Sequence, residues 1–243
     1  MISVYQVLKE KMTYKLYWYP GSAAMAPHAI LHDIGKDFEL IEAKGAFLKS
    51  ADYLRKNPNG TVPVLVCENG ETLYESAAIC QFLAERHPET GLCPAIDDPC
   101  RGKYLQWMMH LTNTVQEAMT IWWHPDQYTN IPEVQAKLKH EAEARLAKLW
   151  QVLDGHLQEN GPLLCGDRFF ACDYYLAMLI RWTRDMREPG ESFPYLNRLV
   201  SMAMARPAYK KMLQDQNITQ NVLPDTIGTP SMDCQSEGEG FCD

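Results

Sequence analysis

Glu75 and Ser76 open a predicted helix directly behind a short hairpin, which brings a carboxylate and several unpaired backbone N–H groups to one point. The amides of a helix start hold an anion such as a carboxylate, and the Glu75 side chain takes an ammonium group. The strand leading in is Val62-Pro63-Val64-Leu65-Val66, and Pro63 is its odd member, because proline donates nothing to a strand ladder. One resolution is a cis Val62-Pro63 bond, which turns the Val62 backbone sideways into a groove. Asn69-Gly70 is the hairpin turn signal. A strand edge, an anion-holding helix start and a carboxylate in one hairpin suit a short zwitterionic peptide. The same residues also suit an ordinary ββα hairpin with a surface Glu-Ser cap.

The elements around this hairpin are legible as a βαβ unit followed by ββα. Tyr14–Tyr19 is an aromatic-rich strand closed by Pro20-Gly21, a helix runs from near Met25 to Ile34-Gly35, Phe38–Glu42 is a second strand, and a short helix spans 51–56. Pro88, Pro94 and Pro99 mark a linker over 88–99. Beyond it the period becomes helical. Tyr104, Trp107, Met108, Leu111, Val115, Met119 and Trp122 form one apolar face, and a helix from Pro132 to Gln158 places Val134, Leu138, Ala142, Leu146, Leu149 and Leu153 inward. Two more helices are predicted, from Asp173 to about Arg187 and from Tyr195 to Gln216. The expected organisation is an extension at 1–12, an α/β domain at 13–87, the linker, an all-helical domain at 100–217, and a polar tail at 218–243 for which disorder is the expectation.

The chain has 243 residues and a net charge of −8, with pI near 5.4, so it offers no long-range attraction to nucleic acid or anionic membrane. It lacks an apolar run of the roughly 18 residues a span needs, and its first residues lack a secretory pattern, so a cytoplasmic location is expected. Eight cysteines without C-x-x-C spacing read as reduced thiols, and no metal is expected.

TVPVL followed by ESAAI resembles the glutathione-binding half of the glutathione transferase family. The resemblance implies a thioredoxin-like N-terminal domain (βαβββα) before an all-α domain, with a cis proline. It implies that Val62, within Thr61-Val62-Pro63, pairs its backbone with the cysteinyl part of glutathione and that Glu75 and Ser76 hold the γ-glutamyl end; Lys49, loosely placed by its loop, is the candidate for the glycine carboxylate. It also implies a homodimer and glutathione as cosubstrate. The loop Tyr19–His28 is similar to the bacterial beta-class pattern Pro-Gly-x-Cys-Ser-x-x-Pro-His, but Ala23 and Ala24 occupy the cysteine and serine positions. That departure puts cysteine-dependent chemistry in doubt.

Activation of a bound thiol needs a donor near the sulfur, since the thiolate is the reactive form. Ser22 is the first candidate, Tyr17 the runner-up and the amides of the helix start a third; Ser22 also reads as an ordinary turn residue, and His28 as a packed histidine. An electrophile pocket is expected between the domains, walled by Trp123, His124 and Tyr128 and approached by Asn113 and Gln116, with Trp107 in the core. Family members carry a hydroxyl residue three positions before Asp173 as a capping box, where this chain has Phe170. The function expected is conjugation of glutathione to, or cleavage with it of, a small hydrophobic electrophile; the alternative is a glutathione-binding module without catalysis.

Overall fold

In the computed structural model residues 13–219 are described; the extension at 1–12 and nearly all of the tail lie outside the described residues. β1 (Tyr14–Trp18) leads through a turn into α1 (Met25–Ile34), and β2 (Phe38–Glu42) returns parallel to β1 with Leu16 opposite Leu40. A 3₁₀ turn (Gly45–Lys49) and the one-turn α2 (Ala51–Leu54) precede the antiparallel hairpin β3 (Val64–Val66) and β4 (Thr72–Tyr74), then α3 (Ser76–Arg86). The sheet order β2-β1-β3-β4 puts β1 at the centre between a parallel and an antiparallel neighbour. Side chains alternate across it. Tyr14, Leu16 and Trp18 enter the core shared with α1 and α3, while Tyr17 faces the other way with Tyr53, Val62 and Val64. The thioredoxin-like arrangement is therefore present.

The helical half differs in detail from the periodicity reading. The first apolar face is carried by α4 (Arg101–His110) and α5 (Glu117–Trp123), joined through a π-helical stretch, Leu111–Gln116, that the spacing does not reveal. α6 (Pro132–Asn160) buries Ala142, Leu146, Trp150, Leu153 and Leu157, so its inner face begins later than expected, Val134 is exposed, and Trp150 takes the buried place given to Leu149. α7 (Ala171–Arg181) starts two residues before Asp173 and ends well short of Arg187. The predicted last helix is two: α8 (Pro194–Ala205) and α9 (Pro207–Asp215). Pro207 is the cause, because the residue before a proline is pushed out of the helical region, and Arg206 lies at φ −67°, ψ 134°.

Every residue of α7 is buried, as befits the central strut that packs against α1 and α3 of the first half and α4 and α8 of the second. Its start lacks the hydroxyl cap. Asp173 compensates from inside: its carboxylate accepts the Phe170 amide at 2.8 Å and the Leu164 amide at 3.0 Å, while the Phe170 ring packs edge-on to Tyr104 at 5.9 Å. Burial pushes the Asp173 carboxyl up to about 7 against the pull of those amides.

Asp173→Ala strands two buried N–H groups and is expected to cost about 2 kcal/mol or more by urea denaturation. Because the folded pKa lies above the unfolded one near 4, the native state holds a proton that the unfolded chain has released, and the contribution of Asp173 falls as pH rises from about 4 to about 7. The cost of the substitution is accordingly expected to be larger near pH 5 than near pH 8; a cost that grows with pH would contradict it.

Candidate functional site

The turn between β1 and α1 is gripped from the helical half. Gly21 adopts φ 73°, its N–H donates to Gln216 Oε1 at 3.0 Å, and its carbonyl accepts the Trp182 indole N–H at 2.8 Å. A Cβ at Gly21 would stand 3.4 Å from the Arg181 guanidinium. Ser22, next in line, is buried; its hydroxyl donates to the Tyr19 carbonyl at 2.7 Å and accepts the Ala24 amide at 3.3 Å. The hydroxyl proton is thus engaged inside its own turn. The Ala23 N–H, by contrast, has no hydrogen-bond partner among the described residues. Tyr17 does not share this place: it lies on the sheet face away from α1, stacked on Phe47 and edge-on to Tyr53 at 5.6 Å, and burial pushes its phenol up.

Among the described residues the hairpin meets the turn through one hydrogen bond, from Ser76 Oγ to the Ala23 carbonyl at 2.5 Å. Val62-Pro63 is cis, and among the described residues neither the N–H nor the C=O of Val62 has a partner. Thr61 serves a different purpose from Val62. Its carbonyl is held by the Tyr53 hydroxyl at 2.8 Å and by the buried Asn57 amide at 2.7 Å, which fixes the segment that presents Val62. Gly60 lies against the Leu48 carbonyl, 3.1 Å from where a Cβ would be, so the 3₁₀ turn ending at exposed Lys49 flanks the same strand.

Glu75 has φ 74° and ψ 111°, a conformation that L side chains other than glycine rarely adopt. Its carbonyl starts the helix by accepting the Ile79 amide at 3.0 Å, and its exposed carboxylate has no ion-pair partner among the described residues. The amides of Ser76, Ala77 and Ala78 precede the first intrahelical bond and are open to an anion.

The expected pocket residues are more dispersed. Trp123 packs edge-on to Trp122 at 5.0 Å with the Arg184 guanidinium 5.4 Å over its ring; His124 and Tyr128 are exposed just beyond α5. No hydrogen bond or ring contact among the described residues joins these three to the Ser22 turn. Asn113 is exposed on the π-helical stretch, whereas Gln116 is spoken for, accepting the Tyr175 hydroxyl. Burial pushes the pKa of that hydroxyl up. Trp107 is buried, as expected.

His28 is packed, with its ring fully buried, stacked on His32 at 4.9 Å, and Nδ1 3.2 Å from Gln216 Nε2. Burial drives its pKa down to about 4, which leaves it neutral and away from the turn's open face. The residues that sequence reading missed, Arg181, Trp182 and Gln216, all come from the helical half. No local pattern marks them, because each acts on Gly21 only after the two halves dock.

Comparison with known proteins agrees on both halves. Residues 24–86 match the family model described as glutathione S-transferase, N-terminal domain, and residues 112–207 match the C-terminal domain of the same family. The chain is 28% identical over 207 residues to glutathione S-transferase GstA of Escherichia coli O157:H7, covering 84% of this chain and 99% of that one. It is 31% identical over 168 residues to glutathione S-transferase GST-4.5 of Xanthomonas campestris pv. campestris, covering 69% of this chain and 81% of the relative. A sphingomonad glutathione S-transferase solved with glutathione superposes with a TM-score of 0.73 at 27% identity, over 84% of this chain and 99% of its own.

Gln216→Ala removes the acceptor of the Gly21 amide. It is expected to destabilise the protein by about 1–2 kcal/mol and to speed hydrogen exchange at Gly21 by more than at the core amides of β1, which lose only the global amount; protection at Gly21 that falls no further than at those core amides would remove Gln216 from the clamp.

Proposed function

Because the chain belongs to the glutathione S-transferase family, we propose that it is a cytoplasmic glutathione transferase that conjugates glutathione to, or cleaves with it, a small hydrophobic electrophile. The observation that carries this reading is a set of backbone groups without hydrogen-bond partners among the described residues, the Val62 peptide, the α3 amides and the Ala23 N–H, the last two tied together by the Ser76–Ala23 bond. Val62 pairs with the cysteinyl unit. The γ-glutamyl carboxylate sits on the Ser76–Ala78 amides and its ammonium on Glu75, while Lys49 takes the glycine carboxylate.

The thiol then lies beside the Ser22 turn. Its thiolate is stabilised by the Ala23 amide, by the start of α1 and by the positive field of Arg181, which stays charged although burial and Arg184 lower its pKa. Ser22 adds a hydrogen bond only by turning its hydroxyl away from Tyr19. Trp123, His124 and Tyr128 form the outer wall for the electrophile, and Asn113 lies on its rim. The active unit is a homodimer, and a monomeric mass in solution would count against that.

A second reading, a glutathione-binding module without catalysis, draws on Ala23 and Ala24 and on the engaged Ser22 hydroxyl. Turnover on a panel of haloaromatic, ether and hydroperoxide substrates separates the two; tight glutathione binding with no turnover on any would favour the module.

Two substitutions test the site. Glu75→Ala is expected to weaken glutathione binding by about 1.5–3 kcal/mol in calorimetry, through loss of a charged partner, and unchanged affinity would remove Glu75 from the site. Ser22→Ala is expected to raise the pKa of bound glutathione by less than about one unit, read from thiolate absorbance, because the Ala23 amide remains; a larger rise would make the hydroxyl the principal donor.

A further inference from the structure

Away from the glutathione groove, α1 and the end of α9 bring together His28, His32 and Asp215. The two histidines sit four apart on one helical face, and Asp215 Oδ2 lies 2.8 Å from His32 Nε2 and 3.5 Å from His28 Nε2. One donor atom from each falls within 4.8 Å of the others. Ligands around a tetrahedral zinc ion stand about 3.3 Å apart, given bonds of about 2.0–2.1 Å. The observed separations bracket that spacing.

Two further observations point the cluster at a ligand. His28 is completely buried, yet its Nε2 has no hydrogen-bond partner and aims at Asp215. A cleft of roughly 440 Å³, lined by His32, Phe38, Lys211 and Asp215, opens beside the cluster and leaves room for a water on a fourth coordination position. Lys211 Nζ is the cation now paired with Asp215, through the other carboxylate oxygen, Oδ1.

We propose that His28, His32 and Asp215 form a site for a divalent transition metal of the zinc class, coupled to the Gly21 turn through Gln216. The coupling follows from the protons. Gln216 Oε1 accepts the Gly21 N–H, so its amide nitrogen donates to His28 Nδ1, and the His28 proton resides on Nε2. A metal on Nε2 needs that lone pair, which moves the proton to Nδ1. Gln216 must then turn its oxygen toward His28 and release Gly21. His32 shifts its proton to Nδ1 in the same way, giving up its hydrogen bond to Asp215, and Asp215 contributes the negative charge. Metal occupancy therefore loosens the turn that holds Ser22, independently of which substrate the protein uses.

The test uses the whole chain dialysed against Zn²⁺ and, separately, Co²⁺. The proposal expects one equivalent of metal per chain, Co²⁺ visible bands without a thiolate charge-transfer band, and faster hydrogen exchange at Gly21 in the metal-bound form. His32→Gln and Asp215→Asn, both at partly exposed positions, are expected to weaken binding by about tenfold or more. Equal uptake by these variants, a thiolate band, or no stoichiometric uptake would overturn the site; unchanged Gly21 exchange on binding would overturn the coupling.

Discussion

The turn at Gly21–Ala23 is held, beyond its own local bonds, by three that none of its neighbours in sequence supply. Ser76 takes the Ala23 carbonyl from the hairpin side, and Gln216 and Trp182 take the two polar groups of the Gly21 peptide unit from the helical side. Unpaired backbone groups in a partly buried turn are costly, so both halves must dock to satisfy this one. Once docked, the geometry leaves the next amide, at Ala23, unused. The site is in this sense a by-product of domain assembly: the Ala23 donor stays open while the Gly21, Ser22 and Ala24 amides are satisfied.

Docking in turn depends on α7. A helix buried on every side has no solvated face to set its rotation, and its position is fixed by its ends and by the side chains it reaches. Asp173 anchors the start through the Phe170 and Leu164 amides. At the other end Trp182 reaches Gly21, and midway the Tyr175 hydroxyl reaches Gln116 on the π-helical stretch. Tyr174 adds a lateral tie, donating to Asp33 on α1 at 2.6 Å and accepting from Arg206, whose guanidinium also pairs with Asp33 at 3.0 Å. One strut thus transmits its placement to α1, to the turn and to the helix that carries the expected pocket.

Much of this was legible in the sequence where the signal is local. Pro63 beside Val62, Asn69-Gly70 and the Glu75-Ser76 helix start are short-range patterns, and α3 begins where the last of them places it. The left-handed Glu75 was not legible, since glutamate gives no sign of a positive φ. Nor was the π-helical stretch, because an added residue per turn hardly disturbs a three-and-four spacing over six positions. Pro207 was visible yet overridden by the apolar period on either side of it. Gln216, Trp182 and the approach of Asp215 to His28 are tertiary facts: each residue is unremarkable along the chain and acquires its role from a partner far away in sequence. The expectation that no metal is bound drew on cysteine spacing alone, and spacing is silent about a carboxylate delivered from the last helix.

The alanines at 23 and 24 separate two demands that a single loop has to meet. Binding a tripeptide asks for backbone groups at fixed positions, and those depend on φ, ψ and docking, not on side chains. Stabilising a thiolate asks for a donor or a positive field at the sulfur, which a side chain, an amide or a nearby guanidinium can each provide. Replacing polar side chains by alanine removes the first kind of donor and leaves the other two untouched. A loop stripped of side-chain chemistry is therefore consistent with a thiolate held by backbone and field.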